Sequence, residues 1–141
     1  MTEMTLGLTL VLTALLVALA LLHILWAIGF WWPIRDERRL VAAVIGIRNA
    51  HRMPGPIPCA LVAVLLLAGA MCLWLPPGTL RQTALLVAAT VCLIRGFVPW
   101  RPLWRSLTPT EPFATLDRRV YGPLSLLLAV GFAAKVIEGM S

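Results

Sequence analysis

Residues 5–30, TLGLTLVLTALLVALALLHILWAIGF, contain no Asp, Glu, Lys or Arg and are almost continuously apolar. An apolar α-helix needs roughly 20 residues to cross about 30 Å of hydrocarbon, so this stretch is long enough to span a membrane with some tilt. It is too long for a secretory signal peptide, and the residues before it carry no positive charge. The stretch therefore predicts a retained transmembrane helix.

Three further apolar stretches follow, at residues 57–75, 82–98 and 120–137. Apolar residues make up 60% of the chain and the mean hydropathy is +0.91, more than a small soluble domain can bury. The last two stretches are near the lower length limit for spanning and need flanking residues. Because unpaired backbone groups in lipid cost several kcal/mol each, every span must be helical. We predict an all-α, polytopic membrane protein, with four transmembrane helices forming one bundle over residues 1–141.

The basic residues predict the orientation of this bundle. Loops one and three hold nine of the twelve basic residues: Arg35, Arg38, Arg39, Arg48, Arg52, Arg101, Arg105, Arg118 and Arg119. Since cytoplasmic loops carry the excess of Lys and Arg, both loops are expected in the cytoplasm and both termini outside the cell membrane. The anionic lipid head groups of that side are the expected partner, and no nucleic acid is needed to explain the charge. The Ala-, Leu- and Arg-rich composition favours a bacterial inner membrane.

Loop one is predicted to contain a short interfacial helix. Asp36 is a suitable N-cap, with Glu37 in the first turn. Apolar residues then recur at helical spacing, at Leu40, Val41, Val44 and Ile45. With arginines on the other face, this helix is expected to lie in the cytoplasmic interface.

Polar and aromatic residues in the cytoplasmic half of the spans form the candidate site. Ionisable groups in hydrocarbon are expensive and usually face the bundle interior. A stripe of small and hydroxylated residues on the first helix suits contact with other helices and turns His23 toward them. Because the topology alternates, we predict a ligand-binding site formed by His23, Trp26, Arg95, Asp117, Tyr121 and Ser125.

Each of these residues also has a plainer interpretation. Arg95 either reaches up to lipid phosphates or pairs inward with Asp117 or an anionic ligand. His23 either bonds to a nearby hydroxyl or carbonyl, or carries a proton or contacts a ligand. Tyr121 and Trp26 are alternatively anchors at the membrane interface.

Residues outside the candidate site are expected to be structural. The three cysteines show no C-x-x-C spacing and are interpreted as small packing residues. Lys135 and Glu138, one turn apart near the outer end, are expected to form a solvated or snorkelling pair. No metal site and no cofactor are expected.

Several short motifs resemble those of a known family. They are His23-x-x-Trp26, Trp32-Pro33-x-Arg35-Asp36-Glu37, Met53-Pro54, Arg95-Gly96 and Phe113-x-x-x-Asp117-x-x-x-Tyr121-x-Pro123-Leu124. In this order they resemble the small four-helix bacterial membrane proteins grouped as a domain of unknown function. Gly122 stands where serine is usual and Ser125 where cysteine is usual, which argues against thiol chemistry at that position. The resemblance implies the four-span architecture and no activity.

Two functions from different classes remain open. The first is binding or transport of a small apolar or amphipathic ligand at the polar site in the cytoplasmic half. A lipid-modifying enzyme that uses His23 as acid or base is a sub-case, although catalysis is not the favoured reading. The second is a structural or assembly subunit, as a homo-oligomer or with another membrane protein. It would pack through small-residue faces such as Ala129-x-x-x-Ala133 and Ala84-x-x-x-Ala88.

Overall fold

The computed structural model describes residues 3–140, and every regular element in that part of the chain is helical. The helices are α1 (Glu3–Ala27), α2 (Glu37–Val44), α3 (Pro56–Cys72), α4 (Thr79–Phe97), α5 (Pro102–Leu107), α6 (Phe113–Leu116) and α7 (Gly122–Glu138). A 3₁₀ turn, Val98–Trp100, extends α4, and a π-helical turn, Asp117–Tyr121, joins α6 to α7. The all-helical prediction is confirmed for the described residues.

Within residues 3–140, three helical stretches are long and apolar enough to cross a membrane: Glu3–Ala27, Thr79–Trp100 and Phe113–Glu138. The fourth apolar helix, Pro56–Cys72, has 17 residues. At 1.5 Å per residue it is about 25 Å long, slightly less than the hydrocarbon thickness. Three to four spans are therefore supported, and four crossings remain a prediction.

The first helix ends before the apolar stretch does. Gly29 has φ +80°, a left-handed conformation that glycine adopts without steric cost. The Gly29 amide donates to the Trp26 carbonyl and the Phe30 amide to the Leu25 carbonyl, which is the Schellman pattern of a helix C-terminus. The expected end at residue 30 is therefore three residues too late, because hydropathy alone does not detect a glycine turn.

The long helices form two antiparallel pairs, α1 with α3 and α4 with α7. Trp74, after α3, donates its indole N–H to Thr13 in the first half of α1 at 2.9 Å. Gln82, in the first turn of α4, donates to the carbonyl of Val136 near the end of α7 at 3.1 Å. The start of α1, the end of α7 and the α3–α4 connection therefore lie together, at what we name the terminal end. Helices α2, α5 and α6 lie at the opposite end, named the loop end.

An apolar core joins the two pairs. Its buried members come from all four long helices and the residue after α3: Leu12, Leu16, Ala70, Leu73, Leu85, Ala89, Leu128 and Phe132. Helices α1 and α7 approach closely at Gly131, where a Cβ atom would lie 2.5 Å from a methyl carbon of Leu12. Ala129 is also buried, so the face of α7 that carries it already packs inside the bundle.

The loop-one helix forms as predicted, with a different environment. The Asp36 carboxylate accepts from the Arg39 amide at 2.9 Å, which confirms the cap. Leu40 is buried and packs with Trp26 and Cys59. The apolar face of α2 is thus covered by the protein, whereas an interfacial helix would place that face in lipid.

Lys135 pairs with Glu138 as expected, but its side chain is buried rather than solvated. Its side chain is fully buried and its ammonium group bonds to Glu138, whose side chain is 34% exposed. The reason is helical phase. Lys135 follows Leu128 and Phe132 on the face of α7 that packs into the core.

Candidate functional site

The loop end holds a buried carboxylate bound by two side chains. Oδ1 of Asp117 accepts from Nη2 of Arg95 at 2.5 Å, and Oδ2 accepts from the indole N–H of Trp104 at 2.8 Å. The guanidinium carbon of Arg95 lies 5.8 Å from the centre of the Trp104 ring, within range of a cation–π interaction. The Asp117 side chain is 3% exposed and that of Arg95 is 36% exposed. Arg95 therefore pairs inward, as one of its two interpretations required.

Two glycines bring α4 and α7 together beside this ion pair. A Cβ atom on Gly122 would lie 3.1 Å from the carbonyl oxygen of Gly96 and 3.1 Å from the Trp100 ring. The Gly122 amide donates to the Asp117 carbonyl, five residues back, and so closes the π-helical turn. Pro123 has no amide hydrogen, so a regular helical hydrogen bond is missing at this point in any case. The sequence Gly122-Pro123 thus permits the irregular turn that carries Asp117.

Tyr121 joins the π-helical turn to α2. Its hydroxyl donates to the carbonyl of Ala43 at 2.9 Å, and its ring centre lies 6.0 Å from that of Phe113. Phe113 in turn packs against Gly46, which has φ +67° and whose carbonyl accepts from the Thr110 amide. These contacts attach loop one to loop three.

Ser125 bonds within its own helix. Its hydroxyl donates to the carbonyl of Tyr121 at 2.8 Å, one turn back. Among residues 3–140, the Ser125 side chain makes no hydrogen bond to the side chain of another residue. The hydroxyl therefore adds no contact to the Arg95–Asp117 pair.

His23 and Trp26 form a separate group on α1. Nδ1 of His23 lies 2.8 Å from the carbonyl oxygen of Leu19, so it donates a proton there, and the His23 and Trp26 ring centres are 5.0 Å apart. The Trp26 indole donates to the carbonyl of Trp32 at 2.8 Å. Helix α2 connects the two groups, since Leu40 packs on Trp26 while the Ala43 carbonyl receives Tyr121. The structure brings Arg95 and Asp117 together and gives His23 other partners.

Sequence reasoning missed Trp104. Its hydrogen bond to Asp117 joins residues 13 positions apart across the α5–α6 connection. No local spacing marks such a pair. The sequence offered one indication. A carboxylate at the end of an apolar span is expected to be buried, and a buried carboxylate needs more than one hydrogen-bond donor.

Two open grooves lie near this cluster, on its outer sides. One lies between α5 and α6, with Arg105, Glu111 and Arg118 in its wall. The other, named the α4 groove, is formed by Leu93, Ile94, Phe97, Val98, Trp100 and Arg101. Neither is lined by His23, Arg95 or Asp117.

The cysteines are free, with Cys59 buried and Cys72 and Cys92 half-buried. Within residues 3–140, no three His, Cys, Asp or Glu side chains are grouped as a metal ion would require.

Apolar helices of spanning length around an apolar core, with an ion pair at one end, place this chain among helical proteins of the membrane type. The chain belongs to the family DUF3995, described as a protein of unknown function, whose model matches residues 16–132. The resemblance seen in the sequence motifs is thereby confirmed, and the matched region includes the whole Arg95–Asp117–Trp104 cluster. No curated protein matches the chain, and no solved structure does.

Proposed function

We propose that this chain is a four-span integral membrane protein that binds an amphipathic molecule with an anionic head group at its loop end. The loop end faces the cytoplasm in this proposal. The head group would contact Arg95, and the apolar tail would lie along the α4 groove.

The distribution of positive charge supports the orientation. Nine of the twelve basic residues belong to the two loops of the loop end, and all of them except the half-buried Arg118 are exposed. At the terminal end, Arg81 and Lys135 are both buried. An exposed arginine-rich end suits the anionic head groups on the cytoplasmic side of a membrane.

One observation carries the ligand proposal. Nη1 of Arg95 is buried and has no hydrogen-bond partner among residues 3–140, although Nη2 is paired with Asp117. A buried donor without an acceptor costs about 1–3 kcal/mol, so an oxygen from outside the chain would be stabilising there. About a third of the Arg95 side chain as a whole remains exposed, so the residue borders the surface although Nη1 itself is shielded.

The α4 groove supports an amphipathic rather than a purely ionic ligand. It lies along the last turns of the helix that carries Arg95, its walls are apolar, and Arg101 stands at its end. An acyl chain in this groove would remove apolar surface from contact with water or disordered lipid, while an anionic head group would be attracted by the two arginines.

Native mass spectrometry from a neutral detergent tests this proposal. The variants are Arg95→Gln and His23→Ala, with Arg119→Gln as an exposed loop-end control. We expect the wild type to retain a lipid-sized adduct, and Arg95→Gln to lower its affinity about tenfold, the usual effect of losing one charge-assisted contact. His23→Ala and Arg119→Gln should stay within about twofold, since neither residue contacts the ion pair. If no adduct is found, or if the adduct binds Arg95→Gln with the same affinity as the wild type, ligand binding at this site is refuted.

A structural subunit is the second candidate, and internal pairing of the polar groups favours it. Asp117, Trp104 and Tyr121 already bond within the chain, so the cluster is also able to act only as a brace between helices. The Ala129 face is buried in the chain's own core, so an assembly surface would use exposed apolar residues, such as Leu61 and Leu65 on α3. In the same spectra, a multimer that persists in Arg95→Gln and carries no adduct would support this candidate.

A further inference from the structure

The terminal end of the bundle contains more buried positive than negative charge. Arg81 is 8% exposed and Lys135 is fully buried. Each lies one turn from a core residue, Leu85 on α4 and Phe132 on α7, so both point into the bundle. The carboxylate of Glu138 pairs with Lys135. That pairing leaves the charge of Arg81 uncompensated.

Arg81 has no hydrogen-bond partner among residues 3–140, and its Nε atom is shielded from solvent. Oε1 of the next residue, Gln82, is also buried without a donor, although Nε2 of Gln82 is bonded to the carbonyl of Val136. Buried ionised groups are ordinarily paired, because an unpaired charge in an apolar environment is expensive. The unmet Arg81 donor indicates that an acceptor from outside the chain completes this end, whereas the Gln82 oxygen is itself an acceptor and needs a separate donor.

The N-terminus of α4 adds a second attraction for anions at the same place. Its N-cap, Gly78, makes no side-chain cap bond, and the first backbone bond of the helix runs from the Gln82 amide to the Gly78 carbonyl. The amides before Gln82 therefore have no acceptor within the helix, and they carry the positive end of its dipole. A Cβ atom on Gly78 would meet nothing within 4 Å, so the N-cap position itself is not crowded.

The direction of the Arg81 side chain agrees with this placement. Long side chains on a helix point back toward its N-terminus, so Arg81, in the first turn, is directed to the same end as the free amides. Guanidinium and backbone amides together are a common arrangement for binding phosphate or carboxylate oxygens.

We propose that the terminal end is an anion-binding site in which Arg81 and the N-terminus of α4 hold an oxyanion. The oxyanion is either the phosphate of a membrane lipid or a small soluble anion such as inorganic phosphate. The site lies at the opposite end of the bundle from Arg95, so it stands independently of the function proposed for the loop end.

Thermal unfolding of the purified full chain in a neutral detergent tests this site. Two probes are titrated separately at constant ionic strength: inorganic phosphate, and phosphatidylglycerol added to the detergent with phosphatidylcholine as the matched zwitterionic lipid. We expect one probe to raise Tm saturably. A rise with inorganic phosphate identifies a soluble oxyanion, and a rise with phosphatidylglycerol alone identifies a lipid.

Variants locate the effect. Arg81→Gln should need about tenfold more probe for the same rise in Tm, and Arg81→Lys, which keeps the charge, should show a smaller loss. Arg119→Gln, exposed at the loop end, should respond as the wild type does. If Arg81→Gln does not fold, Arg81→Lys and the wild-type titrations decide the question. A wild type that responds to neither probe, or Arg81 variants that respond as the wild type does, would overturn the proposal.

Discussion

Arg95 in the last turn of α4 and Asp117 in the π-helical turn form an ion pair, with Nη2 and Oδ1 2.5 Å apart. The pair joins α4 to the segment that leads into α7, and Trp104 binds the second carboxylate oxygen from α5. Because Asp117 is buried, its carboxylate depends on these two donors. Three side chains therefore join α5 and the π-helical turn to the last turn of α4.

Separating the two charges should destabilise the protein. Arg95→Gln leaves the buried carboxylate with Trp104 as its single side-chain donor, and we expect a loss of about 1–3 kcal/mol in the free energy of unfolding. In the double variant Arg95→Gln/Asp117→Asn, the loss should be smaller than the sum of the single losses, because the unpaired charge is gone. Unfolding by sodium dodecyl sulfate in mixed micelles, followed by circular dichroism, measures these differences. If the loss in the double variant equals the sum of the two single losses, Arg95 and Asp117 are not energetically coupled and the ion pair is contradicted.

Gly46 should not tolerate a side chain. It has φ +67°, and a Cβ atom there would fall on the Phe113 ring, 2.0 Å from Cδ1. Gly46→Ala is expected to cost more than the roughly 1–2 kcal/mol of left-handed strain alone, because Phe113 must also move. Gly55→Ala, with φ −56° and open space around the position, is the matched control and should change the unfolding midpoint little. Equal effects of the two changes would show that loop one is not docked on α6.

The contact between α1 and α7 should depend on Gly131. A Cβ atom there would lie 2.5 Å from Leu12, so Gly131→Ala should force the helices apart and destabilise the bundle by about 1–3 kcal/mol. Gly7→Ala on α1 meets nothing within 4 Å and should be neutral or stabilising by up to about 1 kcal/mol, since alanine is the better helix former. Both values come from the same detergent unfolding curves. A neutral Gly131→Ala variant would place the α1–α7 contact elsewhere.

Tyr121→Phe should loosen α2 and leave the long helices unchanged. The substitution removes only the hydroxyl that donates to the Ala43 carbonyl, a loss of about 1 kcal/mol. Hydrogen–deuterium exchange should then rise several-fold in the peptide covering α2 and stay the same in α4 and α7. Ser125→Ala is the control, because its hydroxyl bonds within its own helix. Unchanged exchange in α2 would mean that other contacts hold this helix.

The proposed orientation predicts opposite signals from two reporters. Alkaline phosphatase fused at the C-terminus should be active and green fluorescent protein there should be dark, because the C-terminus is placed outside. Fusions made after Arg52 in loop one should give the reverse pattern. A fluorescent C-terminal fusion would reverse the assignment of the two ends.

Local features of the sequence were sufficient for much of the architecture. Continuous apolar stretches indicate helices of spanning length without any knowledge of their neighbours. The Asp36 cap depends only on a side chain and an amide three residues on, and the structure shows it. Helix ends were less accurate, because the turn at Gly29 depends on backbone conformation rather than hydropathy.

Most contacts between distant segments were beyond reach, and the Arg95–Asp117 pair was only one of two interpretations of Arg95. The bond of Trp104 to Asp117 and that of Tyr121 to Ala43 arise only when the loops meet at one end. The pair of Lys135 with Glu138 was predicted, but the burial of Lys135 was not, because that burial depends on the packing of α7 against three other helices. The shared position of His23 and Arg95 in one half of the bundle likewise did not determine their contacts.

The π-helical turn makes chain length at Asp117–Tyr121 more critical than in the surrounding loops. A π-helical turn contains one residue more than an α-helical turn, so deleting one residue here would let the backbone close as a regular α-helix, and the turn that carries Asp117 would be lost. Adding one residue would instead rotate α7 by about 100° relative to α6, and either Asp117 would turn away from Arg95 or Leu128 and Phe132 would leave the core. Insertions and deletions should therefore be tolerated in exposed connections such as residues 47–52, while the five-residue turn keeps a constant number of residues whichever side chains occupy it.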